Sequence, residues 1–320
     1  MEEKMIGILG AGTMGAGMAA VYAAGGYGVK LYSRTEATLE KARTAIEAAV
    51  TFLLEEGLAR GQREEILART VYTTSLEEAV RGCFYVSETV AEKAEVKQAV
   101  FAELDRLLPP EVLISSNTSY MNVFPFLPEA RQPYFSVVHW VAPPHVIPLV
   151  EVVKGPGTSE ETMARMMRLH EEVGKAPVRM EKFIPGFMLN RLQAAMTREV
   201  LGLLSGGYCT PEMLDRTVRN SLMPRGLSLG LTQRMDFNGI DVVAHGLAGG
   251  SFVPFGAPPA DNPVTRMAER GELGVKSGKG FRAYPDPAAA LRERDRQLLQ
   301  AIRLMQSFPP IGEEREQPPV

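Results

Sequence analysis

Met5–Leu9 is a short apolar run, and a glycine-rich turn from Gly10 to Gly12 follows it at once. Small residues then continue from Thr13 to about Ala24 with neither charge nor proline, which predicts a helix. Val29–Ser33 alternates, with Val29, Leu31 and Ser33 on one side, which predicts a second strand. Strand, turn, helix and strand within about thirty residues make one βαβ unit, whose crossover is right-handed.

The same alternation continues. Thr35–Glu56 and Arg63–Ala68 are helical by pattern, "TVYTTS" and "CFYVSET" read as short strands, and Glu92–Leu108 carries Val96, Val100 and Leu104 at helical spacing. "VLISSN", "YFSVVHW" and "PLVEVV" again read as strands. The expected fold is therefore α/β, a Rossmann-type doubly wound and mostly parallel sheet. The texture changes at Pro185-Gly186, after which Leu192, Met196, Val200 and Leu203 mark one face of a long helix. From there to Met267 no strand alternation occurs, and Ala288–Met305 is one more amphipathic helix. The expected organisation is a nucleotide-binding domain over residues 1–185 and a helical C-terminal domain over 186–306 for substrate and dimerisation. A Pro- and Glu-rich tail, 307–320, is expected to be disordered.

Composition narrows the function. A hydrophobic content of 45%, a charged content of 23% and a net charge of -3 describe an ordinary globular protein, with no electrostatic case for nucleic acid or an anionic membrane. Met5 to Val29 is uncharged, but its repeated glycines argue against a signal peptide or a membrane span. Cys83 and Cys209 lie far apart and beside no ligand-like cluster, so neither a metal site nor a disulfide framework is expected, and a reducing cytoplasm is the simplest location.

Gly10-Ala11-Gly12-Thr13-Met14-Gly15 is GxGxxG between a strand and a helix. Its glycines allow the tight turn, the approach of a pyrophosphate and close helix–strand packing, while the helix N-terminus offers N–H groups to phosphate. At the end of the second strand an NAD site usually carries Asp or Glu for the ribose hydroxyls. Here Ser33 and Arg34 stand instead, a donor and a cation suited to a 2′-phosphate, so the cofactor is NAD or NADP with a lean to NADP.

Four histidines exist. His170 is expected to be solvated on a charged helix, His145 lies in a Pro-rich loop and His245 among glycines. His139 ends a predicted central strand, where α/β sheets gather their chemistry. Glu151 lies inside "PLVEVV", and a buried carboxylate needs a partner. The loop "APPHVIP" can bring the two together as an acid–base dyad, with the carboxylate fixing the imidazole tautomer. The alternative is a solvent-facing Glu151 on an edge strand and a satisfied core His139. Ser119 and Asn190 taken alone read equally well as turn and helix-start residues.

Taken in order, "GAGTMGAGMA", "ETVAEKAEVKQAVFAEL", "SSNTSYM", "HWVAPPHVIPLVEVV", "PGFMLNRL" and "GVKSGKGF" resemble the L-3-hydroxyacyl-CoA dehydrogenase family, including its lambda-crystallin/L-gulonate 3-dehydrogenase and carnitine dehydrogenase relatives, over nearly the whole chain. The resemblance implies a dehydrogenase with His139 as base, Glu151 as its partner, Ser119 on the substrate oxygen and Asn190 completing the polar site. It implies Asn117, Glu92 and Lys97 beside the cofactor, Lys276 reaching it from the C-terminal domain, and a homodimer through that domain. Three departures stand out: Ser33-Arg34 replaces the family Asp, Ala142 replaces the usual Asn, and "RGLSLGLTQRMDFNGID" lacks the usual Gly-Pro. "HWVAPPHVIP" looks closer to the hydroxy-acid and pyridine-carboxylate dehydrogenases, and residues 35–60 hold no clear basic cluster for a CoA phosphate. The expected substrate is a 3-hydroxyacyl-CoA or a small hydroxy acid. Two other readings remain: a nucleotide-binding protein without turnover, as crystallin relatives suggest, and a 3-hydroxyisobutyrate-type enzyme with a lysine base.

Overall fold

The structure, a computed structural model, describes residues 4–248 and 254–308. The expectation of disorder over 309–320 lies outside the described residues. By internal contacts the chain divides into two units, Met1–Arg191 and Leu192–Val320.

The first unit holds one eight-stranded sheet. Its strands are β1 (Met5–Leu9), β2 (Gly28–Tyr32), β3 (Thr70–Thr73), β4 (Cys83–Glu88), β5 (Leu113–Ser116), β6 (Phe135–Trp140), β7 (Leu149–Val153) and β8 (Ala176–Met180). The helices are α1 (Thr13–Ala24), α2 (Glu36–Glu55), α3 (Arg63–Ala68), α4 (Leu76–Val80), α5 (Ala94–Leu107) and α6 (Glu160–Glu172). Hydroxyl caps start three of these helices: Thr35, Ser75 and Ser159 accept from the amides of Thr38, Glu78 and Thr162.

The strand order is β3-β2-β1-β4-β5-β6-β7-β8, and all neighbours run parallel except β6 and β7. The chain leaves β1 for β2 on one side and returns to β4 on the other, which opens a crevice at the carboxyl ends of β1 and β4. Because side chains alternate across a strand, the two faces bury separate cores. Ile6, Ile8, Val138, Trp140, Val150 and Val152 pack with α1, α2 and α6; Leu9, Val137, Val153, Phe101 and Leu104 pack on the other face with α4 and α5.

Two elements go beyond the pattern. Helix α4 is five residues long, too short to display a helical period, and β8 carries Pro177 and Arg179 on a half-exposed edge. His170 corrects the expectation of a solvated side chain. It is fully buried, with Nε2 3.0 Å from the Tyr22 hydroxyl and Nδ1 2.6 Å from the Met166 carbonyl. Its neighbours in sequence are charged, but it falls on the sheet-facing side of α6.

The second unit is helical. The helices are α7 (Leu189–Ser205, starting just before the division), α8 (Pro211–Thr217), α9 (Met223–Asn238), α10 (Ile240–Ala248), α11 (Pro263–Glu269) and α12 (Pro287–Gln306). Of its described apolar side chains only Leu201 and Leu299 are buried, whereas Tyr208, Phe237, Val242 and Leu247 are 60–80% exposed. No helix among the described residues is long and apolar enough to cross a membrane.

Candidate active site

The glycine turn meets the demands of a dinucleotide. Gly10 has φ 117°, and a Cβ there would lie 2.4 Å from the Thr89 carbonyl oxygen. A Cβ on Gly15 would lie 1.8 Å from the Gly10 carbonyl oxygen, so α1 can approach the turn only through glycine. At Gly12 a Cβ would meet nothing within 4 Å, and this is the open side of the turn. Gly12 starts α1 with no side-chain cap, and no acidic residue occupies the first turn. The amides around Thr13 and Met14 therefore keep their donors and the positive end of the helix dipole for an anion, and the turn fits a pyrophosphate. Ser33 is buried at the end of β2 and Arg34 beside it is exposed.

His139 and Glu151 are direct cross-strand partners in the antiparallel β6–β7 pair. Opposed residues in such a pair put their Cβ atoms about 5 Å apart on one face. Nδ1 of His139 lies 2.9 Å from Oε2 of Glu151, and both side chains are buried. The other carboxylate oxygen accepts from the amides of Met188 and Leu189, each at 3.0 Å, where α7 begins. β7 also pairs with β8, so Glu151 is not on an edge strand. Burial pushes the Glu151 carboxyl up, but the hydrogen bonds from His139 and from the Leu189 and Met188 amides outweigh it and hold the group below the ordinary carboxylate range.

A second polar network surrounds the ends of β4 and β5. Glu88 is fully buried and accepts from the Val90 amide at 2.8 Å, from Lys97 Nζ at 2.8 Å and from the Ser116 hydroxyl at 2.5 Å. Lys97, also fully buried, reaches Glu92 at 3.2 Å. Glu92 accepts from the Thr118 hydroxyl and, at 3.0 Å, from the Ser119 amide. Burial raises the Glu92 carboxyl, yet Thr118, Lys97 and the Ser119 amide together bring it below its ordinary value. Asn190 donates its side-chain amide to the Ser119 carbonyl at 3.0 Å. Asn117 bridges strand ends, donating to Thr89 Oγ1 at 3.2 Å and accepting from the Trp140 amide at 2.8 Å.

The first unit thus joins Glu92, Lys97, Ser119 and Asn190 in one hydrogen-bonded chain and pairs His139 with Glu151. Lys276 lies in the second unit, exposed on the short turn Val275–Ser277. Sequence reasoning missed Glu88 and Phe187. Glu88 had a visible signal, a carboxylate closing a strand nine residues before a lysine. Phe187 had none: it is fully buried at φ 51°, its ring centroid 5.1 Å from that of His139. A bulky residue tolerates this left-handed conformation only where packing over-determines it.

Models of two domains match the chain: 3-hydroxyacyl-CoA dehydrogenase, NAD binding domain, over residues 5–183, and the C-terminal domain of the same family over 186–284. The chain belongs to the 3-hydroxyacyl-CoA dehydrogenase family. It is a nicotinamide-dependent dehydrogenase acting on hydroxyl groups, with an NAD-binding domain. Among members of this family it is similar to the 5-formyl-3-hydroxy-2-methylpyridine 4-carboxylate 5-dehydrogenase of Mesorhizobium japonicum, 32% identical over 95% of this chain and 98% of that one. A crystal structure of a dehydrogenase of that name, described as an NAD+-dependent dismutase, covers 96% of this chain and 99% of its own at TM-score 0.84 and 29% identity. The (S)-3-hydroxybutyryl-CoA dehydrogenase of Ralstonia eutropha covers 89% of this chain and 100% of its own at TM-score 0.68 and 26% identity. Lambda-crystallin and L-carnitine dehydrogenase are also among the relatives.

Proposed function

We propose that this enzyme interconverts a secondary alcohol and its ketone beside an anionic or acyl group, with His139 as the general base and Glu151 as its orienting partner. The observation that carries the reading is the buried 2.9 Å contact between His139 Nδ1 and Glu151 Oε2. An ionised carboxylate can only accept, so Nδ1 carries the proton and Nε2 holds a lone pair for the alcohol proton. Glu151 then steadies the imidazolium that forms. Ser119 holds the substrate oxygen through its hydroxyl, and Asn190 fixes the Ser119 backbone. A bound nicotinamide supplies the hydride acceptor. Gly10, Gly12, Thr13, Met14 and Gly15 would hold its pyrophosphate, and Asn117, Glu92 and Lys97 would lie on the side of its ring. Residues 1–185 bind the cofactor; residues 186–306 serve substrate binding and homodimer formation, a reading supported by the exposed apolar side chains of that unit. Two widely spaced cysteines support a reducing cytoplasm.

Of the substrate classes, a small hydroxy acid or related carboxylate is favoured over a 3-hydroxyacyl-CoA. The fuller structural likeness to a pyridine-carboxylate dehydrogenase supports this. So does the engagement of two cations on and beside α2: Arg43 lies over the Tyr72 ring at 4.1 Å, and Arg63 is 3.6 Å from Glu47. The family models keep the acyl-CoA reading as the second one. A panel of free hydroxy acids and 3-hydroxyacyl-CoAs, tried with both nicotinamides, separates the two. On the best substrate His139→Ala is expected to lower kcat by about two orders of magnitude or more while cofactor affinity stays near wild type. An unchanged kcat sinks the dyad.

A further inference from the structure

The eight residues that join β6 to β7, 141–148, contain Pro143, Pro144 and Pro148. Proline has a carbonyl but no N–H, so this loop carries more acceptors than donors. Part of the imbalance is met locally, where the amides of Val146 and Ile147 both donate to the Pro143 carbonyl at 3.0 Å. The rest is met from outside. Lys175, in the turn between α6 and β8, donates from Nζ to the carbonyl of Pro144 and, at 3.0 Å, to that of Ile147. Its Nζ also lies 5.1 Å from the centre of the Trp140 ring. No carboxylate pairs with it among the described residues; carbonyl dipoles and a π face hold the charge.

This loop matters because of what it connects. Trp140 directly follows His139, and Glu151 lies three residues past Pro148. The loop also rests on the nucleotide-binding elements: a Cβ on Gly17 of α1 would lie 2.9 Å from Pro144 Cγ, and the His145 ring lies 5.5 Å from Phe52 of α2. We propose that Lys175 is a positioning residue for the reaction, its ammonium cross-bracing the hairpin loop so that His139 and Glu151 stay in register beside the cofactor turn. The inference rests on the His139–Glu151 reading above. Lys175 touches neither residue; it acts from the opposite face of the sheet, through Trp140 and the loop carbonyls.

Trp140 is the single tryptophan of the chain, so its fluorescence reports on this contact directly. Burial brings the Lys175 ammonium down to about 8. The titratable groups around it are His170 on α6, brought down by burial to about 4, Tyr22 on α1, raised far above its ordinary value by burial, and His145 in the braced loop itself. A fluorescence transition near pH 8 is therefore assigned to Lys175 by its loss in Lys175→Met.

The test uses the full-length enzyme with Lys175→Met and Lys175→Arg. Lys175→Met is expected to lower kcat about tenfold or more with both KM values within about threefold, because a displacement near an ångström costs up to about 10²-fold. It is also expected to shift the Trp140 emission and abolish its transition near pH 8, while Lys175→Arg restores kcat to within about threefold of wild type and moves the transition upward. A Lys175→Met enzyme with wild-type kcat, or with only a raised KM, overturns the proposal. If that variant does not fold, wild type and Lys175→Arg decide. A kcat that ignores the Trp140 transition in wild type overturns the proposal; one that falls with it, and holds to higher pH with arginine, supports it. The two ideas fail separately: an active His139→Ala ends the dyad reading, whereas an inactive His139→Ala beside a normal Lys175→Met ends only this inference.

Discussion

Glu151 serves two partners at once: Oε2 lies 2.9 Å from His139 Nδ1, and Oε1 accepts the Met188 and Leu189 amides at 3.0 Å. The carboxylate that orients the imidazole also caps the helix that carries Asn190. Replacement by glutamine separates the two duties. The amide oxygen can still accept from the helix amides, but the NH2 group then faces Nδ1 and favours the tautomer with Nε2 protonated. Glu151→Gln is expected to fold normally and to lose about two orders of magnitude or more in kcat. Because hydrogen bonding lowers the Glu151 carboxyl, its contribution is present above the ordinary carboxylate range and is lost only as pH falls through that lowered value. A limb of the pH–kcat profile in the ordinary carboxylate range would contradict this assignment.

The three glycines of the turn are not equivalent. Gly12→Ala adds a methyl group where nothing lies within 4 Å, so thermal stability should stay close to wild type while the dissociation constant for NAD rises about tenfold. Gly15→Ala drives a methyl group to 1.8 Å from the Gly10 oxygen, and should cost about 2 kcal/mol or more in denaturant unfolding without any cofactor present. Equal stability losses in the two variants would remove the distinction.

Cofactor choice is expected to be read where β2 ends, at Ser33 and Arg34. Ser33→Asp places a negative charge where a 2′-phosphate would sit, and should reduce kcat/KM with NADP by about tenfold or more while leaving NAD within a few-fold. Wild type is expected to use NADP at least as well as NAD. A strong wild-type preference for NAD, unchanged by the substitution, shows that Ser33 and Arg34 do not read the ribose.

His170 should make the protein acid-sensitive independently of catalysis. Burial lowers it to about 4 from the usual 6.5, so between these values the unfolded chain binds the extra proton and the folded one does not. Stability should therefore fall as the solution is acidified through this window, by about 2 kcal/mol near pH 5 from this group alone. Urea titrations at neutral pH and at about pH 5 measure it, and His170→Gln should lose less on acidification than wild type. Equal losses in the two proteins would refute the account.

Much of this molecule is legible from its residues in order. Met5–Leu9 and Thr13–Ala24 form as a strand and a helix with the bounds their patterns predict, because period and composition are local properties. GxGxxG is equally local: Gly10 and Gly15 answer contacts made within one βαβ unit or with Thr89 just past the neighbouring strand, while Gly12 leaves the turn open. His139 and Glu151 stand out because each is an ionisable residue within an apolar run, and a short loop joins their strands. His170 failed the same reasoning, since its charged neighbours on α6 concealed that its own side of the helix faces the sheet.

What the sequence by itself determined is the sheet, the glycine turn and the kinds of group the site would need. The tertiary structure alone decided that Glu151 shares itself between an imidazole and a helix start, that Phe187 backs the histidine, that Glu88 anchors Lys97, and that Lys175 clasps the loop behind Trp140. Those relations join residues far apart in the chain, and their energies come from burial. Only when the sheet and its helices exclude water does an unpaired charge or carbonyl become costly enough to choose its partner.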